Sequence, residues 1–153
     1  MQKKEKLKIS LHQALQEKVQ QQITLLQSAI QSIEESRNNE TKSSVGDKYE
    51  TGRAMMQQEL FRKQEQLQQA IEIKMQLNSL EPAISHATIQ LGSLVKTTQG
   101  YYYISVGLGR IIVDKATYFA ISTLSPLGQL LVGKQKGEKI EFRGKKIGVE
   151  EVG

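Results

Sequence analysis

The sequence has no cysteine and no tryptophan, and only two prolines, Pro82 and Pro126, in 153 residues. Without cysteine there is no disulfide, no thiolate nucleophile and no cysteine-ligated metal, a composition that fits a reducing compartment. Without proline before position 82, long helices can run unbroken through the first half. Aromatic residues make up 5% of the chain, and three of them are consecutive, Tyr101-Tyr102-Tyr103. No stretch approaches the ~20 apolar residues of a membrane span. The basic start, Met1 to Lys6, is not followed by the apolar core of a signal peptide. A soluble, cytoplasmic, monomeric protein with no membrane partner is expected.

Nucleotide and nucleophile motifs are also missing. Gly107-Leu108-Gly109 is a lone glycine pair in a turn, not a phosphate-binding fingerprint. His12 and His86 are far apart, and no serine or acid constellation accompanies either. Both read as surface or hinge residues. In the tyrosine run, strand alternation sends the middle ring to the opposite face from its neighbours, which favours core packing over a stacking surface.

Apolar residues fall at Leu7, Leu11, Leu15, Val19, Ile23, Leu26, Ile30 and Ile33. Steps of three and four make one stripe on a helix running from about Leu7 to Arg37. About 30 residues span roughly 45 Å, a length that requires a partner along the rod. The polar run Arg37 to Gly46 then breaks the pattern with turn chemistry. A second stripe, Met56, Leu60, Leu67, Ile71, Leu77 and Leu80, continues to Glu81-Pro82. Lys63 and Lys74 lie on or near this seam, with stems that can snorkel. The pair reads as an antiparallel helical hairpin, a coiled coil over residues 1–81 with its tip at about 38–50.

Residues 82–153 differ in kind. Strands are predicted within Ala87–Thr97 and over Tyr101–Val106, Arg110–Val113, Thr117–Ser122, Lys139–Phe142 and Lys146–Val152. Ser125-Pro126-Leu127-Gly128 opens a short helix with a serine N-cap and proline in the first turn. The fold class is therefore α+β: a long N-terminal antiparallel helical hairpin followed by a small antiparallel β domain with one short helix. Net charge is +5. Its densest basic run, Lys134 to Lys146, reads first as a solvated surface rather than a dedicated DNA-binding patch.

The chemistry-bearing candidate is Gly46-Asp47-Lys48-Tyr49-Glu50. Asp47 and Glu50, three apart at a helix start, fit a capping box. That structural reading comes first from the residues alone; the second is two carboxylates on one helical face sharing a divalent cation, with other ligands supplied from elsewhere.

Two motifs now stand together: Gly46-Asp47-x-x-Glu50 at the hairpin tip, and Ser125-Pro126-Leu127-Gly128-x-x-Leu131-x-Gly133-Lys134-x-x-Gly137-Glu138 in the β domain. With this layout the chain resembles the bacterial GreA/GreB transcript cleavage factors over nearly its whole length. The resemblance implies an FKBP-like C-terminal domain and a role as a transcription elongation factor. The globular domain would bind bacterial RNA polymerase, with Ser125, Pro126, Leu127 and Gly128 as docking candidates. The hairpin would enter the secondary channel, where Asp47 and Glu50 would share Mg2+ with the polymerase and promote cleavage of backtracked RNA at its 3′ end. On this reading no cofactor is bound by the chain alone, and the chain is not itself an enzyme. One departure bears on this. Family members follow the tip with Asn-Ala-Glu-Tyr, whereas this chain has Thr51-Gly52-Arg53-Ala54. A channel-binding regulator without cleavage stimulation is the alternative, and an FKBP-like chaperone or prolyl isomerase is a third.

Overall fold

A computed structural model describes the backbone of residues 2–42 and 46–153, and the side chains of residues 5–39 and 51–153. Two helices, α1 (Gln2–Lys42) and α2 (Gly46–Asn78), form the hairpin. They are followed by β1 (Leu94–Thr97), β2 (Gly100–Ile104), β3 (Gly109–Val113), β4 (Ala116–Ile121), α3 (Pro126–Leu131), β5 (Lys139–Phe142) and β6 (Lys145–Val152). At 41 residues, α1 exceeds the expected span at both ends and is roughly 60 Å long. The chain divides into two compact units, Lys18–Lys74 and Met1–Glu17 with Met75–Gly153. Among the described residues, no helix is long and apolar enough to cross a membrane.

In the unit Lys18–Lys74 the expected stripes face one another. Val19 and Ile23 of α1 and Leu60 and Ala70 of α2 are buried. Leu26, Ile30, Ile33, Met56 and Leu67 are half-buried, which suits a two-helix seam open on both sides. Lys74 Nζ donates to Gln20 Oε1 at 2.8 Å, and Arg37 Nη1 donates to Gln57 Oε1 at 3.1 Å. Seventeen steps forward along α1 thus match seventeen steps back along α2, so one antiparallel register holds between these two bonds. Lys74 ends on a glutamine at the seam's margin, as a snorkelling stem does.

In the other unit the six strands form one sheet in the order β3-β4-β2-β1-β6-β5. Every neighbouring pair is antiparallel except β2 and β4, which run parallel. This departs from an all-antiparallel expectation. The two-residue turn Asp114-Lys115, with φ of 50° and 68°, closes the β3–β4 hairpin as a type I′ turn. That hairpin then docks by β4 rather than β3. Burial explains the choice: β4 brings Tyr118 and Ala120 inside, while β3 carries the exposed Arg110 and Ile112 and occupies the edge. Within Ala87–Thr97, Leu94–Thr97 is strand, and Thr88 makes one isolated bridge to Gln135.

Both faces of the sheet are covered. On one, Ile89, Val95, Ile104, Leu127, Leu131, Ile140, Ile147 and Val149 form a core with Tyr102 packed against it. On the other, Leu94, Tyr103, Tyr118 and Ala120 are buried. The first turns of α1 lie there, and the His12 and Tyr103 rings meet edge-on with centroids 6.0 Å apart. Alternation along β2 is therefore as expected, since Tyr102 faces the α3 core and Tyr103 the α1 side.

Candidate functional site

Asp47 and Glu50 stand in the opening residues of α2, and their side chains lie outside the described residues. From Thr51 onward α2 runs through Gly52 and Arg53 without a break. Arg53 is exposed on the helix. Among the described residues, no group of three or more His, Asp or Glu side chains is placed to hold a metal ion.

The second motif is fully described, and each of its marked residues has a structural task. Ser125 is the N-cap of α3: its Oγ accepts from Gly128 N at 3.0 Å and donates to the Ser122 carbonyl at 2.7 Å. Pro126 occupies the first turn and is exposed. Leu127 and Leu131 are buried in the core. A Cβ on Gly128 would collide with the Ser122 carbonyl oxygen, so only glycine lets α3 approach the end of β4 this closely. Gly133, with φ of +90°, donates to Ile89 O, and Ile89 N returns a bond to Lys134 O. Gly137, with φ of +94°, donates to Val149 O, and Glu138 Oε2 accepts from Gln135 N at 2.6 Å. The motif is thus a scaffold that staples α3 and its following loop onto the Ile89 segment and β6.

Of the four docking candidates, the fold brings Ser125 and Gly128 together in one cap and places Leu127 inside. Pro126 remains accessible. The accessible apolar side chains beside it are Leu124, 81% exposed, and Leu130 and Val132 on the outer side of α3. Sequence reasoning passed over Leu124, because one leucine in a loop has no periodicity to mark it. The signal available was its place directly before a capping serine.

A polar cluster lies where the first turns of α1 meet the sheet. Lys8 is 2% exposed, and its ammonium donates to the Ile84 carbonyl at 2.6 Å. Burial lowers its pKa to about 8. It lines a cavity of about 230 Å³ with Glu5, Pro82, Ile84, Ser85, Val152 and Gly153. His12 is also buried, its Nδ1 2.9 Å from the Tyr103 hydroxyl. This corrects the reading of His12 as a surface residue: a polar stretch of helix became interior because the tertiary fold laid it on β2. Burial pulls the His12 pKa down, a hydrogen bond to the Leu77 backbone raises it, and the Lys8 charge lowers it. The neutral ring suits both neighbours, with Nδ1 accepting from Tyr103 and the other nitrogen donating to the Leu77 carbonyl. Burial pushes the Tyr103 phenol well above its usual range. His86, in the segment after α2, has Nδ1 2.8 Å from Ser93 Oγ, and its pKa is lowered by burial and then by Lys8. These groups are bonded to one another and to backbone, which is the arrangement of a structural joint.

Comparison with protein-family models finds no match, and comparison with curated proteins finds none either. Among solved structures, one described as the "Structure of the transcription factor Gfh1" is similar over 91% of this chain and 93% of that one, at 20% identity and a TM-score of 0.39. A likeness that loose says nothing of the site.

Proposed function

We propose that this chain is a transcription factor of bacterial RNA polymerase that enters the secondary channel and stimulates the polymerase's own cleavage of backtracked RNA. The observation that carries this reading is the order of parts: Gly46-Asp47-x-x-Glu50 at the turn of a long helical hairpin, followed by a six-stranded sheet domain bearing the Ser125–Glu138 scaffold. In this reading the sheet domain docks through the accessible side chains around the α3 cap, Leu124, Pro126 and Leu130. The hairpin carries Asp47 and Glu50 to the polymerase active centre. Two carboxylates one helical turn apart are donor chemistry that suits Mg2+. They are too few to hold it alone, so the polymerase and the RNA phosphate complete the set. When bound there, the ion supplies activation of the attacking water. Asp47 and Glu50 contribute charge and position, and the chain has no complete active site of its own.

A second reading is favoured by Arg53, which puts an exposed cation where the resembled family has an acid. In that reading the hairpin occupies the channel and alters initiation or pausing without cleavage. Cleavage of a stalled, backtracked complex with Asp47→Asn and Glu50→Gln variants separates the two. The cleavage reading expects loss of stimulation with polymerase binding retained. Equal stimulation by parent and both variants sinks the metal role, and binding with only basal cleavage by the parent selects the second reading. Absence of any pull-down with core polymerase removes both.

A further inference from the structure

Thirteen residues, Lys134 to Lys146, hold six basic side chains against two acids, Glu138 and Glu141. This segment carries +4 of the chain's +5, and the rest of the chain is almost balanced, with fifteen bases and fourteen acids. It comprises the loop after α3, all of β5, the turn and the start of β6. Lys136, Lys139, Arg143, Lys145 and Lys146 are exposed, and Lys134 is half-buried.

Folding neutralises none of these charges. None of the six forms an ion pair with a described residue, although exposed acids pair elsewhere: Glu59 with Arg62 and Lys63, and Glu150 with Lys96. Glu138 is occupied by the Gln135 backbone N–H. Glu141 sits opposite Lys146 in the strand register without pairing to it. Like charges so close repel, and the fold keeps them so.

The array is also held in place. β5 is an edge strand paired only with β6, and Phe142 opposes Lys145. Arg143 and Gly144, with φ of 51° and 78°, close the hairpin as a type I′ turn. The Arg143 guanidinium lies over the Phe142 ring, 5.0 Å from its centroid.

We propose that the β5–β6 hairpin, with Lys134 and Lys136 ahead of it, binds the sugar–phosphate backbone of nucleic acid without reading its sequence. A compact set of unpaired cations releases condensed counterions on meeting such a polyanion, and that release drives binding. The free edge of β5 adds backbone N–H donors of the kind phosphates accept. An acidic protein surface would feel the same field, but protein interfaces are depleted in lysine and centre on apolar anchors. By strand alternation Lys139 and Lys146 share one face of the hairpin and Lys145 lies on the other beside Phe142, so the cations ring the hairpin. Beyond Val132 no large hydrophobic side chain is exposed among the described residues, so the hairpin carries charge and no anchor. The proposal is independent of the polymerase reading, because the purified chain itself is the binder.

The test is fluorescence anisotropy of the full chain with a labelled duplex DNA and a labelled single-stranded RNA, each of arbitrary sequence. With six phosphate contacts, affinity for the duplex should fall about 10³-fold between about 50 and 200 mM salt. The RNA should bind with a shallower salt slope. Replacing Lys139, Lys145 and Lys146 together with Gln should lower the log–log slope on duplex by about 3 without lowering the melting temperature. The control triple Lys6→Gln, Lys63→Gln and Lys115→Gln removes the same charge elsewhere and should leave that slope as it was. No binding at the low salt overturns the proposal, as does an equal loss in both triples. Displacement by polyglutamate as readily as by unlabelled DNA overturns it in favour of an acidic protein partner.

Discussion

His12 Nδ1 on α1 lies 2.9 Å from the phenolic oxygen of Tyr103 on β2, across 91 positions of sequence, and both residues are buried. This bond ties the start of the hairpin to the centre of the sheet. Tyr103→Phe removes the partner and leaves a buried ring nitrogen unsatisfied, at an expected cost of about 1–3 kcal/mol. In a His12→Leu background the same change should cost clearly less, because the orphaned nitrogen is gone. Urea unfolding of the four-member cycle measures the difference, and additive costs would mean that the bond contributes nothing specific.

Lys8 sets a pH dependence. Its pKa is about 8 in the folded chain against an ordinary 10.5. Between those values the unfolded chain binds more protons, so stability should rise with pH from about 8 toward 10. His12 and His86 act with the same sign at lower pH: their lowered pKa values mean that stability falls as pH drops below the ordinary histidine value near 6.5. Tyr103 has the opposite sign: its raised pKa stabilises the fold below the ordinary tyrosine value of 10, and that stability is lost as pH climbs beyond it. Thermal melts from pH 7.5 to 9.5 should therefore show a rising melting temperature. Lys8→Met should flatten that rise. A parent whose melting temperature is level across the window contradicts the buried ammonium.

The α3 scaffold predicts unequal costs for two small changes. Ser125→Ala loses an N-cap, worth about 1 kcal/mol. Gly128→Ala forces a methyl against the Ser122 carbonyl, a backbone atom that cannot step aside, and should cost more, by about 1–3 kcal/mol as overpacking does. Calorimetry of both variants checks the order, and the reverse order would mean that α3 shifts freely.

Leu124 and Leu127, three residues apart, should behave oppositely. Leu127 is buried in the core, so Leu127→Ala should cost about 2–5 kcal/mol. Leu124 is exposed, so Leu124→Asp should leave stability within about 0.5 kcal/mol. If the docking reading holds, the same change weakens capture of core polymerase in a pull-down. Unchanged capture moves the docking surface away from α3.

Much of the fold was legible in the residues. The stripes from Leu7 to Ile33 and from Met56 to Leu80 predicted two helices because a 3.6-residue period leaves a visible mark. Ser125-Pro126 predicted the start of α3, since capping is a local interaction. Other features were not legible. Nothing in Arg110–Val113 and Thr117–Ser122 says that the second strand, not the first, pairs with β2, because that choice compares the burial of two whole strands. The four docking candidates are contiguous in sequence, whereas the fold exposes Pro126, half-buries Ser125 and buries Leu127 and Gly128.

At the tip, Gly46-Asp47-Lys48-Tyr49-Glu50, the chemistry is carried by the sequence. Its two acids, their spacing and their place at the start of a helix are properties of the chain itself, set by local backbone preference. The joint of Lys8, His12 and Tyr103 is the reverse case. Lys8 and His12 look like solvated positions on a polar helix, and only the packing of the first turns of α1 buried them, His12 on β2 and Lys8 on the Pro82–Ser85 segment. Periodicity and caps depend on neighbours a few residues away, so the sequence determines them. Burial, and the protonation behaviour that follows from it, depends on residues 91 positions apart, and only the assembled fold decides it.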